Sequence, residues 1–276
     1  MRRVLSTYLF VDQRMTVALL DRILKSGIDE VEFFCARQHL DYHNQSQIDE
    51  LRHWFHDSDM KVHSVHSPLF SDDSWGRSGP HSVVSLTEKS KARRIEVTDE
   101  IKRAIEIADA IPFRYLVQHI GMHEEEYDEA QVEAAFNSLD EIIVFGKQLG
   151  VEVLVENIPN VYSSARRLRT FVESTHLPLA FCFDTGHAQL NGNPEQEFEL
   201  MKDRIRSTHI HDNDGEDDAH LFPLLTEQGS IDWKPMMDRL RSLPEDVPLV
   251  MELREDEEME NALLETRRSL DLLEEL

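Results

Sequence analysis

Three histidines and four aspartates fall within twelve residues: His209, His211 and His220 beside Asp212, Asp214, Asp217 and Asp218. Upstream, Asp184-Thr185-Gly186-His187 offers the same pair of side-chain types again, and Glu156 and Glu252 each end an apolar run. Neutral imidazole nitrogens and carboxylate oxygens are the usual ligands of a hard or borderline divalent cation. The pattern therefore points to a bound metal that takes part in chemistry.

Such ligands need a frame. Short apolar, β-rich runs alternate with amphipathic segments along the whole chain. The runs occupy residues 4–11, 31–35, 61–66, 115–119, 151–156, 180–184, 205–211 and 249–253. Their lengths suit buried strands, and their unbroken apolarity suits a parallel sheet covered on both faces. Segments 17–26, 88–110, 130–149, 232–243 and 259–276 carry apolar residues at helical spacing, and the first and third stop at Gly27 and Gly150. Glycine is a good C-terminal cap. Strand followed by helix, about eight times over, is the pattern of an α/β fold of the (β/α)8 barrel type. A doubly wound open sheet fits less well, because no Gly-rich fingerprint follows the first run. Without a linker or low-complexity tract, residues 1–276 read as a single domain. The acidic run 255–258 reads as carboxylates favoured near the N-terminus of the last helix, not as a ligand set. The longest irregular stretch, residues 67–85, is expected to form a lid, with Phe70 and Trp75 as apolar walls.

In a barrel, side chains at the C-terminal strand ends converge on one face. His66, His119, Glu156, Asp184, His187, His209 and Glu252 sit there, with Asp218 and His220 in the loop after the seventh run. A lone buried carboxylate costs several kcal/mol or loses its charge, and a metal removes that cost. Strand alternation puts His63 and His66 on opposite faces, so only one of them faces the lumen. His209 and His211 share a face, so either suits a ligand, and Asp212 points away. His39, His43, His53, His56, His63, His81, His123 and His176 read as structural or surface residues.

The chain has 276 residues, 40% of them hydrophobic and 30% charged, with a formal net charge of −25. This composition is that of a globular protein, and the charge repels polyanions at long range. No stretch reads as a transmembrane span, and Asp12, Gln13 and Arg14 end the first apolar run too early for a signal peptide. Cys35 and Cys182 read as small core residues in a reducing compartment, so the cytoplasm is the expected location. Homo-oligomer formation is left open.

Several motifs resemble the xylose-isomerase-like TIM-barrel superfamily: HSP at His66, QHIG at His119, VENIPN at Glu156, FDTGHA at Phe183–Ala188, HIHDNDGEDDAH at His209–His220, GSIDW at Gly229–Trp233 and MELRE at Met251–Glu255. That superfamily includes sugar isomerases and epimerases, inosose and dehydroshikimate dehydratases, and apurinic-site endonucleases. The resemblance to the isomerases implies one divalent cation (Mn, Zn, Mg or Co) on Glu156, Asp184, His209 and Glu252. The resemblance to the endonuclease branch implies up to three zinc ions on a larger set. That set is His66, His119, Glu156, Asp184, His187, His209, Asp218, His220 and Glu252. Residues Thr226–Ser230 depart from the family's usual Gly-Glu-Gly turn, with Glu227 and Gln228 in place of its first Gly and its Glu.

Three chemistries compete. A sugar isomerase or epimerase removes a proton beside a carbonyl and returns it elsewhere, through a metal-stabilised enediolate. Glu156 and Glu252 are the expected proton carriers, with His187 on a substrate hydroxyl. A dehydratase or lyase acting on an inosose- or dehydroshikimate-like substrate shares the first step. A zinc endonuclease also needs a track of Lys and Arg for phosphates. No Lys or Arg occurs in residues 119–146, 184–201 or 207–233, whereas Glu124, Glu125, Glu126, Glu216, Asp217 and Asp218 make that face acidic. Arg14, Arg37, Arg77 and Arg254 are the few cations left to hold an anionic group. A small sugar or polyol-like substrate is therefore expected, bound with the help of Trp75 and Arg254, with no nucleic-acid or membrane partner. A barrel that only binds metal or a partner is the non-catalytic alternative.

Overall fold

A computed structural model describes residues 1–123, 125–255 and 259–276. Glu124, and Asp256 to Glu258 of the acidic run read as a helix start, lie outside the described residues.

Eight parallel strands form the frame: β1 (Arg3–Ser6), β2 (Glu30–Phe34), β3 (Lys61–His66), β4 (Tyr115–Gln118), β5 (Glu152–Glu156), β6 (Ala180–Asp184), β7 (Ile205–His209) and β8 (Leu249–Met251). Each pairs in parallel with its sequence neighbour from β1 to β7, and β8 pairs with β1. A bridge between Ile210 and Met251 joins the two remaining edges, so the sheet closes on itself. The expected (β/α)8 barrel is what forms. Among the described residues the α-helices are α1 (Val17–Lys25), α2 (Gln45–His56), α3 (Lys91–Glu106), α4 (Glu129–Gln148), α5 (Ala165–Ser174), α6 (Thr185–Leu190), α7 (Pro194–Met201), α8 (Trp233–Leu240) and α9 (Ala262–Glu275). None of them is long and apolar enough to cross a membrane.

Local chemistry sets the boundaries. Thr16 and Asp128 cap α1 and α4 by accepting from the backbone of Leu19 and Ala130. Gly27 and Gly150 follow these helices at φ of +90° and +74°, in the left-handed region that favours glycine. The first apolar run is not one strand. It breaks after Ser6, whose Oγ accepts from the Tyr8 amide at 3.4 Å, and Thr7–Phe10 coil into a 3₁₀ turn. That turn carries Tyr8 to the barrel mouth, 4.8 Å from the His220 ring. The sequence reading missed α2, α5, α6 and α7. α2 and α7 bury two apolar side chains each, Ile48 with Leu51 and Phe198 with Met201, α6 buries Ala188, and α5 buries Ala165, Leu168, Phe171 and Val172. In α2, α6 and α7 these are too few to mark a stripe, and in α5 they are interspersed with Arg166, Arg167 and Arg169.

Two cores result. The larger lies between sheet and helices and is built on outward residues such as Leu5, Phe33, Leu116, Phe181 and Phe183. The smaller fills the lower lumen with Tyr115, Val117, Leu154, Ala180 and Cys182. Each fully buried large apolar side chain contributes ~1.5–3 kcal/mol, so the outer core carries the fold. The upper lumen is thereby free to hold polar groups. Cys35 and Cys182 are both buried free thiols.

Residues 67–85 are an ordered loop. A bridge between Phe70 and Val83 closes it. Asp72 accepts from the Gly76 and Ser78 amides at 2.7 and 2.9 Å. Trp75 adopts φ of +55° and packs 5.4 Å from Phe34 and 5.6 Å from Phe70.

Candidate metal centre

Alternation along each strand sends one set of side chains into the lumen. On β6 these are Ala180, Cys182 and Asp184, so Asp184 sits above the small apolar layer. Corresponding positions on β5, β7 and just past β8 bring in Glu156, His209 and Glu252. One ligand atom from each of Glu156, Asp184, His209 and Glu252 lies within 4.8 Å of the others, and all four residues are buried. His209 Nδ1 faces Glu156 and Glu252 oxygens at 3.3 Å each and Asp184 at 3.8 Å.

Two further groups flank this one. His66 and His119 approach each other through their Nε2 atoms at 3.3 Å and reach the same Glu156 oxygen at 3.5 and 3.1 Å. His187, His211, Asp218 and His220 form the other. Asp218 lies 3.1 Å from His187 and 3.4 Å from His220, whose ring stacks on His211 with centroids 4.0 Å apart. Glu156 belongs to three groups, one of them with Cys182 and His209, and its second oxygen lies 3.1 Å from His187 Nδ1. All ten histidines and carboxylates expected at the site, His211 included, are thus gathered at one end of the barrel.

Small details hold them there. Asp184 Oδ1 accepts from the His187 amide at 2.6 Å, capping α6, while Oδ2 faces His211 Nε2 at 3.0 Å. Gly186 is required by close approach: a Cβ there would lie 2.0 Å from the His211 ring. Asp212 turns away from the cluster, as alternation requires. It accepts from Trp233 Nε1 at 2.7 Å and from the Ser230 and Ile231 amides at 3.0 and 3.2 Å. Its backbone pairs with Leu221, closing the loop that carries Asp218 and His220.

The electrostatics show strain that protein groups leave unresolved. Burial alone would raise the Glu156 carboxyl, but His209 and His119 hold it well below the usual carboxylate range. Burial likewise opposes charge on His209 and His187, yet the surrounding anions raise both well above an ordinary imidazole. Burial pushes His119 down, whereas Glu156 outweighs burial at His66 and pushes it up. Two imidazole nitrogens 3.3 Å apart in this way suit a single shared proton. Glu156 Oε1, His209 Nδ1 and Glu252 Oε1 are buried without a hydrogen-bond partner. Unpaired buried polar atoms cost ~1–3 kcal/mol each, and one divalent cation among them would satisfy all three. The donor set of carboxylates and imidazole fits such an ion.

Two expectations need correction. His63 also faces the lumen: a bulge pairs Val31 with Val62 but Glu32 with Ser64, so alternation is interrupted at His63. Its Nε2 reaches Ser207 on the far side of the barrel at 3.2 Å, at the end away from the metal ligands. Glu125 does not present its charge freely. It accepts from Thr87, Ser85 and Gln131 side chains at 2.7, 3.1 and 3.1 Å. The sequence reading also missed Glu32, which is fully buried and brings its oxygens within 3.1 and 3.3 Å of His209 Nε2. A carboxylate inside the apolar run Val31–Cys35 was the available signal.

Two clefts open above the cluster. One, about 340 Å³, is lined by Leu69, His119, Ile158, His187, Glu216 and Asp218 among others, with no Lys or Arg. The other, about 460 Å³, is lined by Tyr8, Phe10, Asp12, Trp75, Arg254 and Met259 among others. Trp75 and Arg254 therefore share one cleft.

The profile of the xylose isomerase-like TIM-barrel family matches residues 20–276, and the chain belongs to that family. An uncharacterized protein of Methanocaldococcus jannaschii is 25% identical over 252 residues, spanning 86% of this chain and 78% of its own. A D-tagatose 3-epimerase-like protein superposes with a TM-score of 0.79 at 23% identity, covering 100% of this chain and 96% of that one. The IolI protein with a bound zinc atom superposes with a TM-score of 0.76 at 16% identity, covering 99% and 98%. At these identities the two structural likenesses are likenesses of fold.

Proposed function

We propose that this protein is a divalent-metal-dependent isomerase or epimerase of a small sugar or polyol-like substrate. The observation that carries the reading is the convergence of Glu156, Asp184, His209 and Glu252, with three of their buried atoms unpartnered. The epimerase-like fold relative and the zinc-bound one support it by analogy. When bound, the cation would polarise a substrate carbonyl and offset the negative charge that develops on its oxygen.

The two glutamates then differ in role. Glu156 is hemmed in by four imidazoles, those of His66, His119, His187 and His209, and stays charged. Glu252 has one imidazole close by, His209 at 3.3 Å, so the oxygen it does not give to the cation is the freer base for a proton beside the carbonyl. Glu156, charged at rest, relays a proton from the His119–His66 pair at its carboxylate to the opposite side of the substrate. His187, fixed by the Asn157 carbonyl at 3.0 Å, lines the smaller cleft and holds a substrate hydroxyl. The cation-free lining of that cleft suits a neutral polyol end, while Arg254 and Trp75 receive the other end in the second cleft. Loss of a hydroxyl after the first proton step would make the same site a dehydratase.

A second reading has one specific observation behind it. The groups His66–His119–Glu156 and His187–His211–Asp218–His220 offer places for further ions. Several ions would favour hydrolysis of a phosphate ester, although the acidic loops disfavour a nucleic-acid duplex. Elemental analysis of purified protein, paired with a panel of ketoses, inososes, dehydroshikimate and an abasic duplex, tests both. About one equivalent of metal with ketose turnover supports the isomerase. About three of zinc with duplex cleavage replaces it with the nuclease, and turnover of neither class refutes both.

A further inference from the structure

We infer that Glu32 on β2 is a positioning residue for the metal centre, fixing the tautomer and orientation of His209. The inference rests on the metal reading and concerns a residue outside the ligand set. Glu32 is fully buried one layer below the ligands, on the far side of the His209 ring from them. Its two oxygens lie 3.1 and 3.3 Å from His209 Nε2. The other ring nitrogen, Nδ1, is the one that faces Glu156, Asp184 and Glu252, and it has no hydrogen-bond partner. A carboxylate accepts a proton and never donates one when ionised. The Nε2 proton is therefore held against Glu32, and a cation bound among the ligands would meet the Nδ1 lone pair.

The carboxylate is itself oriented. Ser64 Oγ donates to Glu32 Oε2 at 2.7 Å from the neighbouring strand. The same bulge that turns His63 inward brings Ser64 level with Glu32. Ser64, Glu32 and His209 thus form a chain of donors and acceptors ending at the metal position. Glu32 is buried between Val31 and Phe33, whereas the other carboxylate of the strand, Glu30, sits at its start and pairs with Arg2. A partner that fixes a ligand's ring and raises its basicity is typically worth about 10–100-fold in metal affinity.

The test uses full-length protein, Zn²⁺ as the probe with a competing chelator, and the variants E32Q, E32A and E197Q. Glu197 is a buried carboxylate outside the site, accepting from the Ala165 amide at 2.8 Å and Asn191 at 3.1 Å. The expected result is Zn²⁺ affinity reduced roughly 10-fold in E32Q and roughly 100-fold in E32A, with E197Q unchanged. Histidine ¹⁵N spectra of the Zn²⁺-loaded wild type should show His209 protonated at Nε2 and metal-bound through Nδ1. Wild-type affinity in E32Q, an equal loss in E197Q, or zinc on Nε2 of His209 would each overturn the assignment while leaving the metal reading intact. If E32Q and E32A fail to fold, the wild-type spectrum decides alone. A wild type that takes up neither Zn²⁺ nor Mn²⁺ sinks both readings together.

Discussion

The two ends of the barrel bury the same kinds of side chain to opposite effect. At the N-terminal end Arg2 grips Glu30 at 2.6 Å and donates to His63 Nδ1 at 3.1 Å. His63 Nε2 then meets Ser207 at 3.2 Å, so the network is complete and its imidazole neutral. None of the unpartnered buried side-chain atoms among the described residues belongs to it. At the C-terminal end carboxylates and imidazoles crowd together without completing one another's hydrogen bonds, and Glu156, His209 and Glu252 keep unpartnered atoms. The first arrangement is finished by the protein, whereas the second asks for something from outside. Stability is expected to reside in the first and function in the second.

The sharpest way to break that contrast is at the glutamates. E156Q and E252Q are each expected to lower turnover ~10²–10⁴-fold with circular dichroism unchanged, as measured on whichever sugar proves to be a substrate. Metal-free E252Q should melt no lower than metal-free wild type, because one of several crowded anions is gone. A variant that keeps its turnover, or that loses its fold, would erase the distinction between the two ends.

Metal comes next. Saturation at 100 times the dissociation constant should add ~2.7 kcal/mol to unfolding, read as a higher melting temperature that chelation reverses. An unchanged melt would mean that the C-terminal end is as complete as the other.

The third effect is a pH dependence of the N-terminal end. Burial, aided by Arg2, depresses His63 from an ordinary 6.5 to about 4. The unfolded chain therefore binds the proton first as pH falls. The neutral state costs nothing above pH 6.5, and stability drops progressively between about 6.5 and about 4. The loss is at most ~3 kcal/mol. H63Q should flatten that slope in denaturant titrations at pH 7, 5.5 and 4.5. The smallest effect is that of R2M, ~1 kcal/mol or less, since the Arg2 side chain is 39% exposed. It should leave metal affinity untouched, and a loss there would couple the two ends.

Much of the site was legible because a carboxylate or imidazole at the end of an apolar run has few packing explanations. Glu156, Asp184, His209 and Glu252 stood out in this way, and the lumen does gather them. Glu32 escaped notice because it lies inside its run, one layer lower, and not at the strand end where ligands were sought, although a carboxylate within an apolar run was a signal. His63 was placed on the wrong face because alternation assumes an unbroken strand. The bulge that interrupts it appears only in the pairing of β3 with β2. Helices α2, α6 and α7 escaped because they bury only one or two apolar side chains, and α5 because arginines intersperse its buried face.

The sequence alone determined the alternation of strand and helix and the types of ligand at the strand ends. Both are recorded in neighbouring residues through the periods of the backbone. Tertiary structure decided which ligands share one centre, which nitrogen of His209 faces them, and that Glu32 and Ser64 stand behind it. Those facts depend on register between segments far apart in the chain, and closure of the ring brings such segments into contact only after every strand has paired.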